Sequence, residues 1–421
     1  MRKRILVRGP ALSLSGYGEQ TRFALRSLKA YEELFDIYLQ VIPWGRTGWI
    51  WNDNEEREWM DSLLQKTAIY QAQGGQFDMS LQITIPNEWE KLAPVNVGYT
   101  AGIETDRIAA QWIEKSALMD RIIVISNHSK HGFDNTTYIA EHPNGQKTPF
   151  KCTTPVTVVN YPVREYEAAP MKLKLKHDFN FLAVAQWSPR KNIENLVRWW
   201  VEEFIDQEVG LVLKTFRLNT SHGDKMFSKH MIETLLAEYP DRKCSVNLIH
   251  GSLTDEEMTA LYQHPKIKAF ITLAHGEGFG LPIFEAAYNG MPVIAPAWSG
   301  QCDFLYAPVK RGKQKKAKVR PLFARVEYTI NQVQPEVVWD GVLTKDSMWC
   351  YPEQGSYKMK LRDVYKNYSR YKGDAKKLQK YVSERFSATN QYKAFADAVY
   401  GEKIDVQTWF EQLSEDVVNY D

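Results

Sequence analysis

Ala269-Phe270-Ile271-Thr272-Leu273-Ala274-His275-Gly276-Glu277-Gly278-Phe279-Gly280-Leu281-Pro282-Ile283-Phe284-Glu285-Ala286-Ala287-Tyr288-Asn289-Gly290-Met291-Pro292-Val293-Ile294-Ala295 is the stretch on which the fold turns. An apolar run of strand length leads into a loop with three glycines in five positions. A helical segment opened by Pro282 and stopped by Gly290 follows, then a second short apolar run. Together they read as one β-α-β unit, whose loop lies where open α/β sheets bind ligands. The glycines let the backbone approach a bound group, and the unpaired amides from Phe279 to Leu281 suit a phosphate at the helix start. Glu277 in the loop and Glu285 about one turn into the helix, eight residues apart, are expected to face one crevice. Carboxylates there accept hydrogen bonds from vicinal hydroxyls, as on a ribose or a hexose.

The pattern E-G-F-G-L-P-x-x-E-A over residues 277–286 resembles the signature of glycosyltransferase family 4, retaining enzymes with the GT-B fold. The resemblance implies an α/β chain of two Rossmann-like domains facing each other across a deep cleft. It also implies that Glu277 contacts the donor sugar's hydroxyls and that Glu285 binds the ribose. Donor contacts are expected along His275, Gly276, Gly278, Phe279, Gly280 and Leu281.

At 421 residues the chain is too long for one ordinary core, and two domains are expected. A net charge of +2 does not by itself call for a nucleic acid or membrane partner. Four cysteines, at 152, 244, 302 and 350, show no C-x-x-C spacing, and the N-terminus lacks a signal-peptide apolar core, so a cytoplasmic setting is expected. No apolar run approaches membrane-spanning length, so a lipid-linked acceptor would be met at the membrane surface. Thirteen tryptophans and 22 tyrosines exceed what a scaffold needs, and aromatics make platforms for sugar faces or bases.

From the N-terminus, Arg4–Arg8 reads as a strand, followed by a loop with Gly16, Tyr17 and Gly18 that opens a helix, placed to approach a diphosphate or the acceptor. The segment Trp44–Trp51 is a loop rich in Gly, Trp and Arg. Gly98-Tyr99-Thr100-Ala101-Gly102-Ile103-Glu104-Thr105-Asp106-Arg107 is similar to a cleft-lining loop of a family branch. Many relatives place a histidine nearby, and this loop has none. Glu104 is a candidate catalytic residue; its alternative is a carboxylate favoured by a helix dipole. His128, at the end of a buried strand, could reach the cleft but reads more readily as structural, and residues 135–155 suggest a hairpin or a surface insertion.

The span 163–178 has no apolar periodicity and is expected to be the interdomain hinge. By the resemblance it separates an expected acceptor domain at 1–163 from an expected nucleotide-sugar domain at 164–390, with residues 391–421 expected to form a terminal helix that returns to the first domain. After the next strand comes Pro189-Arg190-Lys191-Asn192, similar to the family's P-x-K motif, which contacts the donor diphosphate. Fixed cations stabilise a departing nucleoside diphosphate, so Arg190 and Lys191 are candidate catalytic and donor-binding groups. The run from Gly251 to Glu257 is similar to one that family members place beside the nucleotide base, and Thr254 with Glu257 is expected to form a capping box. Helices are expected over Asp363–Tyr371 and Ala375–Phe386. Lys310–Arg320 holds seven basic residues in eleven positions, a solvated loop or a contact for a polyanion.

These readings point to a retaining glycosyltransferase moving a sugar from a nucleotide-sugar donor, UDP or another, to an acceptor hydroxyl on a glycan or a hydroxymethylated DNA base. In the family's usual account the departing phosphate assists the acceptor on the same face, so no enzymic nucleophile is needed. No D-x-D motif occurs, so no metal or other cofactor is expected. The alternatives are a non-catalytic nucleotide- or glycan-binding module on the same fold, and a phosphorylase, for which no pyridoxal-binding lysine can be assigned. The oligomeric state is not legible in the sequence.

Overall fold

The structure is a computed structural model that describes residues 2–51, 54–141, 143–310 and 316–402. Two six-stranded parallel sheets dominate it. The first contains β1 (Lys3–Gly9), β2 (Phe35–Val41), β3 (Met79–Ile83), β4 (Val95–Thr100), β5 (Arg121–Val124) and β8 (Val156–Val158), with β6 (Thr137–Glu141) and β7 (Lys147–Lys151) as a separate antiparallel hairpin. The second contains β9 (Asn180–Gln186), β10 (Gly210–Phe216), β11 (Ser245–Ile249), β12 (Ile267–Ile271), β13 (Val293–Pro296) and β16 (Ala324–Val326). Two antiparallel pairs flank it, β14 (Tyr306–Val309) with β15 (Lys318–Pro321), and β17 (Tyr328–Gln332) with β18 (Met348–Pro352).

Strand order is β2-β1-β3-β4-β5-β8 in one sheet and β11-β10-β9-β12-β13-β16 in the other. In each, the chain first winds to one side and then reverses, leaving a switch point between β1 and β3 and another between β9 and β12. Strands buried on both faces, such as Ile5, Leu6 and Val7 of β1 and Leu211, Val212 and Leu213 of β10, explain the near-continuous apolar runs.

The crossovers of the first half carry α1 (Gly16–Lys29), α2 (Glu55–Ala72), α3 (Ala110–Ser116) and α4 (Asn127–Asn135). Those of the second carry α5 (Ile193–Phe204), α6 (His222–Ala237), α7 (Asp255–Gln263), α8 (Leu281–Tyr288) and α9 (Cys302–Leu305). The expected capping box is present at α7, where Thr254 and Glu257 bond each other's backbone.

Two C-terminal helices differ from the sequence expectation. They are α10 (Gln354–Lys366) and α11 (Tyr368–Arg385), longer and closer together than Asp363–Tyr371 and Ala375–Phe386. The break falls at Asn367, whose backbone leaves the helical region at φ −112°, ψ 34° while its amide caps Asp363. An apolar face of Tyr371, Ala375, Leu378 and Val382 runs unbroken through what reads in sequence as a gap.

The last described helix, α12 (Ala388–Tyr400), lies on the first half of the molecule. Phe395 packs edge-on to Phe23 of α1 at 5.1 Å and against Tyr99 of β4 at 4.9 Å, and Tyr400 meets Phe35. The rest of the 391–421 tail, residues 403–421, and residues 311–315 of the basic run lie outside the described residues. Residues 163–178 hold no helix or strand, and Arg164 there bridges Glu19 of α1 at 2.9 Å and Asp255 of α7 at 3.2 Å.

Phe395 is fully buried between α1 and β4. Phe395→Ala is therefore expected to destabilise the first half by about 3–5 kcal/mol, read as a shift in its urea transition. A loss under about 1 kcal/mol would show that α12 does not stabilise this half.

Candidate active site

The second sheet's switch point sets the site. The β9 loop carries Arg190 and Lys191 into α5, and the adjacent β12 loop carries residues 272–280 into α8. The His275 amide donates to the Arg190 carbonyl at 2.9 Å, which ties the two loops together. Pro189–Lys191 forms a short 3-10 turn, after which Asn192 adopts left-handed φ 52° and its side-chain amide reaches the Leu273 carbonyl.

Four charges meet here. Arg190 Nη1 lies 3.2 Å from Glu277 Oε2, 3.2 Å from Glu104 Oε1 and 2.8 Å from the Gly276 carbonyl. Lys191 Nζ forms an ion pair with Glu277 Oε1. Glu277 is only 8% exposed. Burial alone would push its carboxyl up, but Lys191 and Arg190 outweigh that and hold it below the usual carboxylate range. Burial pulls the Lys191 ammonium down, with the Arg190 charge adding to the effect and Glu277 opposing it. Burial likewise works against the Arg190 guanidinium, but Glu104 and Glu277 raise it overall.

Glu104 comes from the first half of the molecule, so the cluster spans both sheets. Backbone packing explains how closely they approach. A Cβ at Gly276 would lie 2.4 Å from the Glu104 carbonyl oxygen, and one at Gly278 would lie 2.7 Å from that of Ala101. Gly280 caps α8 at φ 92°.

Ser299, which follows β13 at φ 67°, accepts the Glu277 amide on its hydroxyl at 2.8 Å, and the Gly300 amide donates to the Glu277 carbonyl at 2.9 Å. Asp303 then links this loop to the first half, accepting from the Asn127 amide at 2.9 Å and from Asn160 Nδ2 at 2.9 Å.

The other expected site residues divide. Glu285 is not drawn into the ion cluster; its carboxylate accepts from the Tyr262 hydroxyl at 2.8 Å. Burial pushes Glu285 up to about 7, and charges on Asp255 and Glu19 add to the rise. Lys214, in β10, feels Glu285 and donates to the carbonyl of Gly251 at 3.2 Å, so Gly251 and Glu285 both lie near this one cation.

The His275 ring is committed to protein contacts. It is 4% exposed, stacks on Trp349 at 5.0 Å and bonds the Cys350 carbonyl through Nδ1, leaving its backbone as the part that faces the loop. Phe279 is core, packed on Tyr161, Phe284 and Phe304, and Leu281 is half-buried at the start of α8. Gly16 is exposed with open space about it, whereas Gly18 abuts the Ser13 carbonyl. Tyr17 bonds Thr100 at 2.8 Å. His128 is enclosed against Trp298, and burial pulls it down to about 4.

Lys214 and Tyr262 escaped the sequence reading. A lysine within the apolar run Gly210–Phe216 was the one available signal. Among the described residues no group of three or more His, Cys, Asp or Glu side chains is placed to hold a metal ion, and no helix is long and apolar enough to cross a membrane.

No protein-family model and no curated protein sequence matches the chain. Solved structures do. HepE of Anabaena, solved with UDP and glucose, is 14% identical over 95% of this chain and 100% of its own, with a TM-score of 0.59. Sucrose-phosphate synthase of Thermosynechococcus elongatus is 13% identical with 100% of both chains covered, at 0.59. The lipopolysaccharide outer core galactosyltransferase WaaB is 12% identical over 95% of this chain and 99% of its own, at 0.53. With two parallel-sheet domains and these neighbours, the chain has the GT-B fold.

The raised Glu285 gives a pH signature. The carboxyl is protonated when folded and ionised when unfolded between pH 4.5 and about 7, so its contribution to stability is complete below 4.5 and fades as pH rises through 7. Because the residue is half-buried, about 3 kcal/mol is the upper bound. Urea unfolding from pH 4.5 to 8 is expected to show this decline, and Glu285→Gln to flatten it; an unchanged slope in the variant would refute it.

Proposed function

We propose that the chain is a retaining, metal-independent glycosyltransferase that moves a sugar from a nucleotide-sugar donor to an acceptor hydroxyl. The observation that carries this reading is the pairing of Arg190 and Lys191 with Glu277 at the switch point of the second sheet, closed from the other side by Glu104. Two cations held in place before substrate arrives need little reorganisation to stabilise charge on a departing diphosphate. The amides at the start of α8 add to that field.

In this reading Glu277 orients the donor sugar, and Glu285, beside Lys214 and Gly251, takes the ribose. Glu104 positions Arg190 from the acceptor side. Arg190 and Lys191 do the neutralising that a divalent ion would otherwise do, which supports metal independence. The phosphate oxygen leaving the sugar takes the acceptor's proton on the same face, preserving anomeric configuration. Neighbours of the same fold that were solved with UDP-glucose, or with UDP and glucose, support a nucleotide-sugar donor. The acceptor hydroxyl belongs to a glycan or to a hydroxymethylated DNA base, and a cytoplasmic site of action fits the reading.

A panel of nucleotide sugars, followed by slow donor hydrolysis and transfer, tests the proposal. Lys191→Ala is expected to lower kcat/KM for the donor by about 100-fold or more, and Arg190→Ala by about tenfold. Activity with chelator present is expected to equal that without. Turnover within about threefold of the parent in Lys191→Ala would overturn the assignment.

A further inference from the structure

The loop Trp44–Trp51 is a surface element with more order than its composition suggests. The Leu14 amide donates to the Gly48 carbonyl at 2.8 Å, and the Ile50 amide to the Leu12 carbonyl at 2.8 Å. The Ser13 and Thr47 hydroxyls are 2.6 Å apart, and Arg57 of α2 holds the Ile50 carbonyl at 2.8 Å. This fixed loop leaves Trp51 87%, Trp49 47% and Leu14 41% exposed. Apolar surface kept in water by a hydrogen-bonded frame signals a contact.

The frame leads to the site. Trp44 packs on Tyr17 with ring centroids 4.3 Å apart, and the Tyr17 hydroxyl accepts from the Ala101 amide at 3.3 Å. The Ala101 carbonyl is the atom against which Gly278 closes. The aromatic loop therefore continues the wall of the first half that supplies Glu104.

We propose that Trp49 and Trp51 form an acceptor subsite that stacks the pyranose rings of a neutral oligosaccharide, apart from the hydroxyl that reacts. This rests on the glycosyltransferase reading above. The C–H face of a pyranose fits an indole face. Charge excludes the other occupants. Nucleic-acid affinity comes mostly from several cations on the phosphates, and an anionic membrane needs a basic cluster beside its aromatics. Arg46 is the only basic residue of residues 44–51, Arg57 is paired with Asp61 at 3.0 Å, and Arg26 with Glu56 at 3.1 Å. Three side chains are also far short of the roughly 1,200 Å² that a stable contact with a second copy buries.

The test is titration of the full chain, without donor, with maltopentaose, cellopentaose and chitopentaose by calorimetry. A short duplex containing hydroxymethylcytosine and phosphatidylglycerol vesicles are the other arms. One oligosaccharide is expected to bind, Trp51→Ala and Trp49→Ala to weaken it by about tenfold each, and the Phe variants to stay within about threefold. Unchanged melting temperatures show that the variants fold. The inference is overturned if no oligosaccharide binds, if the alanine variants bind as well as the parent, or if what they lose is duplex or vesicle binding. Because no donor is present, such a failure is separate from a failure of the transfer reading, which the donor assays report.

Discussion

The partly buried four-charge cluster of Glu104, Arg190, Glu277 and Lys191, centred on the buried Glu277, is the constraint on which the rest of this molecule depends. Charges removed from water are costly unless they are paired, and here each acid and each base finds its opposite. Because Glu104 belongs to one half of the chain and the other three to the second, satisfying the charges also draws the halves together. Gly276 and Gly278 permit that approach, since a side chain at either would strike the backbone of residues 101–104. In the proposed reaction a donor diphosphate enters this balance as a third anion and competes with the carboxylates for cations already in position.

Topology explains why the cluster lies where it does. At the β9–β12 switch point two loops leave neighbouring strands toward opposite sides, and the gap between them is lined by both. Ser299 and Gly300 brace the Glu277 loop from behind, and Asp303 carries the same segment across to Asn127 and Asn160. Arg164 and α12 are further ties between the halves. The site is thus held by several contacts that cross from one sheet to the other.

Much of this was legible in the chain. The β-α-β unit around Glu277, the capping box at Thr254, the hairpin within 135–155 and the position of Arg190 and Lys191 after β9 all follow from local patterns that tertiary packing does not override. Other features depend on partners far away in sequence. Nothing near Glu285 signals that Tyr262 will bind it, and nothing near His275 signals that Trp349, 74 residues on, will stack on its ring. The break at Asn367 was obscured because the polar residues of α10 and α11 are simply their solvent faces. Lys214 reads as a strand residue until the sheet places it beside Gly251 and Glu285.

The central claim is that Lys191 and Arg190, held by Glu277 and Glu104, receive the phosphates of an activated sugar. A crystal structure with an intact, slowly hydrolysed UDP-sugar analogue measures this directly. The account requires a phosphate oxygen within hydrogen-bonding distance of Lys191 Nζ or the Arg190 guanidinium, with the sugar against Glu277. A diphosphate bound on another surface, with the four-charge cluster undisturbed, would contradict it.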